Sequence, residues 1–148
     1  MTDKDIAITL VDIGEVGGAT AINRRALRRL TRETISVDMN VKVVPDTARS
    51  RLSVLVSCSY RAVIGLIRER LLVCTAFATF EVEDLASQIE ENGEDGLLPA
   101  ALMTNMLGIA VGALRGIVSV RTADTPLHRR PLPIIDLNVL MHRLSATH

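Results

Sequence analysis

Aromatic residues are scarce in this 148-residue sequence, which has no Trp, one Tyr and two Phe. The three rings, Tyr60, Phe77 and Phe80, lie in one short stretch of the chain. Proteins that bind single-stranded nucleic acid stack successive bases on aromatic side chains, and three rings cannot supply a long platform of that kind. They also cannot supply the aromatic-rich contact surface of an antibody-like binder. The composition excludes both classes.

Metal ligands are also few and badly spaced. The two cysteines, Cys58 and Cys74, form no CxxC motif, and His128, His142 and His148 lie together near the end of the sequence. Zinc sites need Cys and His at short regular spacings, so we expect neither a metal nor another cofactor. The N-terminus lacks the basic stretch and apolar run of a secretory signal peptide. We therefore expect a cytoplasmic protein with free thiols.

Net charge is absent, because 17 basic residues balance 17 acidic ones. This excludes a generally basic coat for nucleic acid. What the chain has in abundance is aliphatic residues, since 48% of it is hydrophobic and the mean hydropathy is +0.29. The length suits one domain with a substantial core. So much aliphatic surface indicates either an oligomer that buries it or a surface exposed for a client.

Residues 1–20 are interpreted as an N-terminal arm, flexible or ordered on contact, before a domain of residues 21–148. Ile6–Ile13 is either a short strand or part of that arm. Residues 21–33 combine apolar residues at helical spacing with Arg24, Arg25, Arg28, Arg29 and Arg32, which predicts a short amphipathic helix, with a strand as the alternative. These arginines are either a footprint for an acidic partner or a solvated face offset by residues 81–95. The neutral chain favours the solvated face.

Two segments alternate apolar and polar residues with a period of two, which is typical of half-buried strands. They are Ile35–Val43 and Leu52–Tyr60, separated by a turn at Pro45-Asp46. A connection near Gly65–Leu66 makes a hairpin with the next strand and places Cys58 opposite Cys74.

The third strand, Leu71–Val82, is apolar on both faces, and Leu71, Val73 and Phe77 share the second one. A strand in an antiparallel sheet normally has one wet face. We therefore predict that the second face is covered by another subunit.

Residues 81–95 are acidic and are interpreted as a loop. Leu98–Val120 then contains a single charge, Arg115, and Pro99 suits the first turn of a helix. A membrane span needs about 20 apolar residues, and the glycine spacing is that of packed membrane helices. Polar interruptions, and the need of the strands for a second layer, favour instead a long buried helix. Its glycines, which allow close approach of another backbone, are Gly108, Gly112 and Gly116.

The end of the chain is rich in proline from Pro126 to Pro133, which predicts an extended crossover and excludes a helix there. Asp136 is placed to cap a last short helix, with one apolar face made of Leu137, Leu140, Met141 and Leu144. The predicted fold class is α+β, with a four-stranded antiparallel sheet, a long helix, a proline-bearing crossover and a short C-terminal helix.

This order of elements resembles the SecB export chaperones and the wider group of SecB-like proteins over about residues 22–144. Ala113-Leu114-Arg115-Gly116 is similar to the arginine-glycine step that ends the long helix of the family. The segment Leu132–Met141 is similar to the closing stretch of the family, and Phe80 with Val82 and Leu85 to its last strand leaving the sheet.

The resemblance implies a homotetramer, built as a dimer of dimers, whose apolar grooves hold unfolded polypeptide without ATP. Carried over by position, the residues that line the groove are Val54, Val56, Phe77, Phe80, Leu132 and Ile134, although each would also serve as ordinary core. The residues expected at the oligomer interface are Leu71, Val73, Gly108, Gly112 and Gly116.

Two positions depart from the family pattern. SecB proper is acidic and carries a carboxylate on its sheet that docks the translocase motor, but Val73 or Thr75 stands there in this chain. Leu137 stands where the family has phenylalanine. The resemblance therefore implies the fold more strongly than motor docking or a role in protein transport.

No nucleophile, base and orienting group come together in the sequence, so we do not predict an enzyme. The first hypothesis is a SecB-like holdase that binds unfolded chains. The second is a module of the same fold dedicated to one protein partner, such as a toxin, an antitoxin or a phage component. Nucleic-acid binding through Arg24–Arg32 is a third hypothesis that we favour less. The expected partners are thus proteins and further copies of the chain, without insertion into a membrane.

Overall fold

A computed structural model describes residues 6–31, 34–92 and 98–146. An antiparallel sheet forms one layer, and a long helix with a shorter C-terminal helix forms the other. This confirms the α+β class. The elements in chain order are β1 (Ile8–Glu15), β2 (Ala21–Ile22), α1 (Arg24–Arg29), β3 (Ile35–Asp46), β4 (Arg51–Ile64), β5 (Ile67–Val82), α2 (Leu85–Asn92), α3 (Ala100–Arg121), a 3₁₀ turn (Pro126–Arg129) and α4 (Leu137–Ala146).

The sheet has the strand order β1-β5-β4-β3, and the short β2 also pairs with β5. It has five strands where the sequence predicted four, because Ile8–Glu15 pairs with β5 rather than standing apart as an arm. The turn between β4 and β5 falls at Gly65-Leu66, and Cys58 is paired with Cys74. Both details confirm the predicted hairpin.

β5 has a bulge opposite Tyr60 and Arg61 of β4, and this bulge changes which β5 side chains lie on each face of the sheet. Tyr60 pairs with Leu72 but Arg61 pairs with Arg70, so Leu71 is the extra residue. The two residues of a bulge lie opposite one residue and disturb the alternation of side chains. Leu71 and Leu72 are both fully buried as a result. The expectation that Leu71 lies on the second face of the strand was wrong, because strict alternation does not survive a bulge.

The core lies between the sheet and α3. The side chains of β4 and β5 that face α3 are fully or almost fully buried, from Leu52 to Tyr60 and from Leu72 to Val82. On α3 the buried residues recur at helical spacing, so that one side of the helix covers the sheet. They are Met103, Met106, Leu107, Ala110, Val111, Leu114 and Val118.

The length and composition of α3 would also suit a membrane span, a test that the core helix of a soluble protein passes equally well. In this structure α3 packs on β4 and β5. The structure therefore favours the long buried helix over the membrane alternative.

The acidic segment contains a helix that the sequence did not predict. Asp84 adopts a positive φ of 52° at the end of β5, and its carbonyl accepts a hydrogen bond from Gln88 N at 3.0 Å, which starts α2. Leu85 and Gln88 are buried on the inner side of this helix. The loop interpretation was therefore wrong for residues 85–92, where two inward side chains outweigh the acidic composition.

The crossover is extended from residue 130 to 136, as the prolines predicted, but one 3₁₀ turn precedes it. Thr125 Oγ1 accepts a hydrogen bond from Leu127 N at 3.2 Å, and Pro126 occupies the first turn. Proline is tolerated there because the N–H it lacks would have no partner in the first turn. The prediction of no helix thus fails for these four residues only.

Candidate polypeptide-binding surface

An apolar groove runs between β3 and the crossover. It has a volume of about 210 Å³. β3 lies at one edge of the sheet, and α4 rather than α3 lies over it. The groove is therefore open along the edge of the sheet, where an extended chain has access to it. Its lining residues are Val37, Met39, Pro133, Ile135, Asp136, Val139 and Leu140.

The wall of the groove is held in place by polar contacts at two points. Arg115 Nη2 donates a hydrogen bond to Pro133 O at 2.9 Å, which ties the crossover to α3. Asp136 Oδ1 accepts a hydrogen bond from Asn138 N at 2.9 Å and caps α4 as predicted. Leu132, just before the first point, is buried as an anchor, while Ile134, between the two points, is 99% exposed. The crossover thus has one buried side and one free apolar side chain.

A second apolar cleft, of about 530 Å³, lies between β1 and α3. Ile13 on β1 and Val120 on α3 are largely exposed beside it. β1 is the other edge of the sheet, so this cleft also combines apolar side chains with an unpaired strand edge. The residues that line it are Ile13, Gly14, Glu15, Ala113, Gly116, Ile117, Val120 and Arg121.

An ion pair closes one end of the second cleft. Arg121 Nε donates a hydrogen bond to Glu15 Oε2 at 3.2 Å, and Thr20 donates to the same carboxylate. The Arg121 hydrogen bond, and after it the Thr20 bond, hold the pKa of Glu15 below its ordinary value. The pair fixes β1 to the end of α3.

The two thiols lie beneath the same region. Cys58 and Cys74 are paired across β4 and β5, fully buried and not disulfide-bonded. The hydrogen bond with Cys74 and burial raise the pKa of the Cys58 thiol. Thiolate is the reactive form of cysteine, so a raised pKa suits a structural thiol. Within the residues that the structure describes, no group of three His, Cys, Asp or Glu is placed to hold a metal ion.

The six residues predicted to line a groove do not meet on one surface. Phe80 and Leu132 are buried, as are Val54 and Val56, which face α3 in the core. Phe77 is half-buried on the opposite face of the sheet, and Ile134 alone is fully exposed. In this chain the accessible apolar groove is therefore formed by other residues of the same elements.

The residues predicted at the oligomer interface also lie in different environments. Leu71 is fully buried and has no surface to offer to a second subunit, whereas Val73 is half-exposed. At Gly108 an added Cβ would stand 3.4 Å from Leu137 Cδ1, so this glycine already packs against α4. Around Gly112 and Gly116 a Cβ would meet nothing within 4 Å.

Two lining residues of the groove, and the residue that holds its wall, were not predicted as site residues from the sequence, although each carried a signal. Val37 and Met39 belong to the period-two apolar face of β3, and that pattern shows the face without showing what covers it. Arg115 is the only charge within an apolar stretch of more than twenty residues. An isolated charge of this kind usually has a specific partner, which here is the crossover carbonyl.

The fold matches a solved structure. The SecB-like chaperone Rv1957 of Mycobacterium tuberculosis, solved in complex with a ChAD peptide from the HigA1 antitoxin, superposes with a TM-score of 0.52 and 17% sequence identity. The match covers 87% of this chain and 91% of that one. No protein-family model and no curated protein matches the sequence. At this identity the comparison establishes the fold, so the chain has a SecB-like fold, as the resemblance predicted.

Proposed function

We propose that this protein is an ATP-independent chaperone that binds an extended segment of another polypeptide in the groove between β3 and the crossover. The observation that carries this proposal is the open apolar groove at a free sheet edge, lined by Val37, Met39, Ile135 and Val139. The peptide complex of the structural neighbour supports a polypeptide as the ligand.

Binding in this groove uses two kinds of contact. Apolar side chains of the client enter between Met39 and Val139, and each fully buried Leu- or Val-sized group contributes about 1.5–3 kcal/mol before the cost of ordering the client. The free edge of β3 offers main-chain groups for strand addition, a common mode of peptide recognition. Because the groove takes few side chains, release stays reversible.

The proposed assembly is a homotetramer in the cytoplasm. The outward side of α3 supports it, because Ile109 and Val120 are exposed there. The exposed apolar residues of β1 support a second contact at that sheet edge. They are Leu10, Val11 and Ile13.

The small size of the groove favours a second candidate function, a module dedicated to one partner protein. A volume of about 210 Å³ accommodates only a few side chains, and ligand pockets usually measure about 300–1,000 Å³. A groove of this size suits one well-fitting segment better than many unrelated clients.

The experiment is aggregation of an unrelated unfolded protein with and without a molar excess of this chain. We expect suppression, and weaker suppression by Val139→Glu, which places a charge in the groove. Val44→Glu is the matched control, because Val44 has a similar exposure but lies outside the groove. If the wild-type chain suppresses nothing, the general chaperone is excluded. A single stoichiometric partner in a pull-down, lost in Val139→Glu, would then support the dedicated module.

A further inference from the structure

The β4–β5 hairpin ends in an exposed apolar tip, made of Val63, Leu66 and Ile67. Gly65 in its two-residue turn has a φ of +68°, a conformation that such turns require. Leu66 is 101% exposed, Ile67 62% and Val63 54%. Neighbouring exposed aliphatic residues of this kind mark an interaction surface more often than scattered single ones do.

Arginines surround this tip at the same end of the molecule. α1 lies beside the hairpin, because Asn23 Nδ2 donates to Arg70 O at 3.1 Å and Arg29 Nη2 comes within 3.9 Å of the position for a Cβ on Gly65. α1 also contacts the 3₁₀ turn. We call this set the arginine end. Its members are Arg24, Arg25, Arg28, Arg29, Arg61, Arg68, Arg70, Arg129 and Arg130, a majority of the 17 basic residues of the chain.

Few acidic residues lie at the arginine end. Within its described elements the hairpin contributes Glu69, and Asp124 before the 3₁₀ turn pairs with Arg24 at 3.4 Å. On the neighbouring strand β3, Asp38 pairs with Ser59, two residues before Arg61. Arg61 and Arg70 stand directly opposite each other on β4 and β5. Like charges opposite each other destabilise a sheet, and an external anion relieves that repulsion.

The acidic segment 81–95 balances the charge of the arginines in the sequence, but its described residues lie far from them in the structure. Glu81 is thirteen residues along β5 from Arg68, which at about 3.3 Å per residue is roughly 40 Å. Charges in physiological salt are screened beyond about 8 Å. The neutral chain therefore has a basic end and an acidic end. The acidic segment is too distant to offset the charge of the arginines, which was the reason for interpreting them as a solvated face.

We propose that the apolar tip and the arginine end together form a docking surface for a membrane that contains anionic lipids. The tip enters the headgroup region, while the arginines behind it contact lipid phosphates. The proposed attachment is peripheral, because α3 remains packed on β4 and β5. None of its residues lines the peptide groove.

Two other anionic partners fit the observations less well. Nucleic acid would bind the arginines but leaves the aliphatic tip without a role, and Tyr60 and Phe80 are buried and cannot stack on bases. An acidic protein would need a socket shaped for this particular turn. A bilayer accepts an apolar tip of any shape.

The test is sedimentation of the full chain with vesicles of phosphatidylcholine alone or with about 30% phosphatidylglycerol, at low and high salt. We expect binding to the anionic vesicles at low salt only. Leu66→Ser should lower the partition coefficient about tenfold, and each of Arg29→Gln and Arg68→Gln about fivefold. Val44→Ser and Arg49→Gln, near the opposite end of the sheet, are the matched controls and should bind like the wild type.

Three results would overturn the proposal. They are no binding to anionic vesicles at low salt, equal binding to both kinds of vesicle, and anionic binding that Leu66→Ser does not weaken. Duplex DNA and polyglutamate are assayed in parallel. A salt-sensitive complex with either, in the absence of vesicle binding, assigns the arginine end to that partner instead. Thermal melting of each variant verifies that it is folded.

Discussion

The space between the sheet and α3 differs sharply from the outward sides of the same two layers. Between the layers, side chains such as Leu72 and Leu114 are fully buried. On the outward face of β4 and β5 hydroxyl residues predominate, and Ser53 and Thr79 bond each other at 2.8 Å. Most of the aliphatic excess is therefore ordinary core. Among the described residues, the large apolar side chains that stay exposed lie on the sheet edges, the outward side of α3, the hairpin tip, the crossover and α4.

The largest expected effect comes from truncating one leucine on each face of the sheet. Leu72→Ala leaves a cavity in the core and should lower the free energy of unfolding by about 2–5 kcal/mol. Leu55→Ala, on the outward face, should cost less than about 1 kcal/mol. Urea denaturation at several protein concentrations measures both.

Equal losses for the two leucines would contradict the assignment of Leu72 to the core and Leu55 to an outward face. If the loss for Leu55→Ala also depended on protein concentration, a second subunit would be covering the outward face, as the sequence predicted.

Two glycines of α3 allow the open outward side of this helix to be compared with a side that already packs against α4. Gly112→Ala should raise the free energy of unfolding by about 0.5–1 kcal/mol, because alanine favours a helix and the added Cβ meets nothing within 4 Å. Gly108→Ala should gain less, because its Cβ contacts Leu137. Thermal melting compares the two variants. A loss of stability in Gly112→Ala, with dissociation seen by sedimentation, would show that another copy packs there.

A smaller effect on the free energy of unfolding is expected for the phenol of Tyr60, which lies between the sheet and α3. Tyr60 Oη is buried without a hydrogen-bond partner among the described residues, and burial raises the pKa of this phenol. Removing an unsatisfied polar atom costs nothing in desolvation. Tyr60→Phe should therefore leave the free energy of unfolding unchanged or raise it by up to about 1 kcal/mol. A clear loss in denaturation would instead point to a partner for this hydroxyl.

The smallest effect concerns the Glu15–Arg121 pair at the outer end of the second cleft. Because the pKa of Glu15 is lowered on folding, its stabilisation is present above the ordinary value of 4.5 and is lost as the pH falls through the lowered value. Glu15→Gln should melt slightly below the wild type at neutral pH, and the difference should vanish in acid. A difference that is constant across this range would assign the effect to packing rather than to the charge of Glu15.

Local patterns predicted the strands, the hairpin register and the long helix, because alternation and helical spacing are properties of neighbouring residues. They could not predict the bulge at Leu71 or the pairing of β1 with β5, which depend on contacts between distant segments. Helix α2 was missed since its two buried residues, Leu85 and Gln88, are few among many acidic ones.

The candidate site was harder to predict than the fold. Proline placed the crossover, and Ile134 lies in it fully exposed, but the groove is lined by its neighbours Pro133 and Ile135. The partner strand of the crossover is β3 rather than β4 or β5. Val37 and Met39 therefore line the groove, while Val54 and Val56 lie under α3. Whether an apolar side chain becomes core or binding surface depends on where the helices end, and periodicity does not contain that information.

Chemical labelling of the two paired thiols can report local opening of the sheet. Cys58 and Cys74 are its only cysteines, and each sits at the middle of a central strand. A thiol reagent reaches them only when this part of the structure opens. Equal labelling rates for the two would mean that β4 and β5 leave the second layer as one unit. The hydrogen bond with Cys58 lowers the pKa of the Cys74 thiol, and thiolate is the reactive form. A rate at Cys74 that stays faster once the thiolate fractions are accounted for would mean that the β1 edge opens first, exposing the strand next to the second cleft.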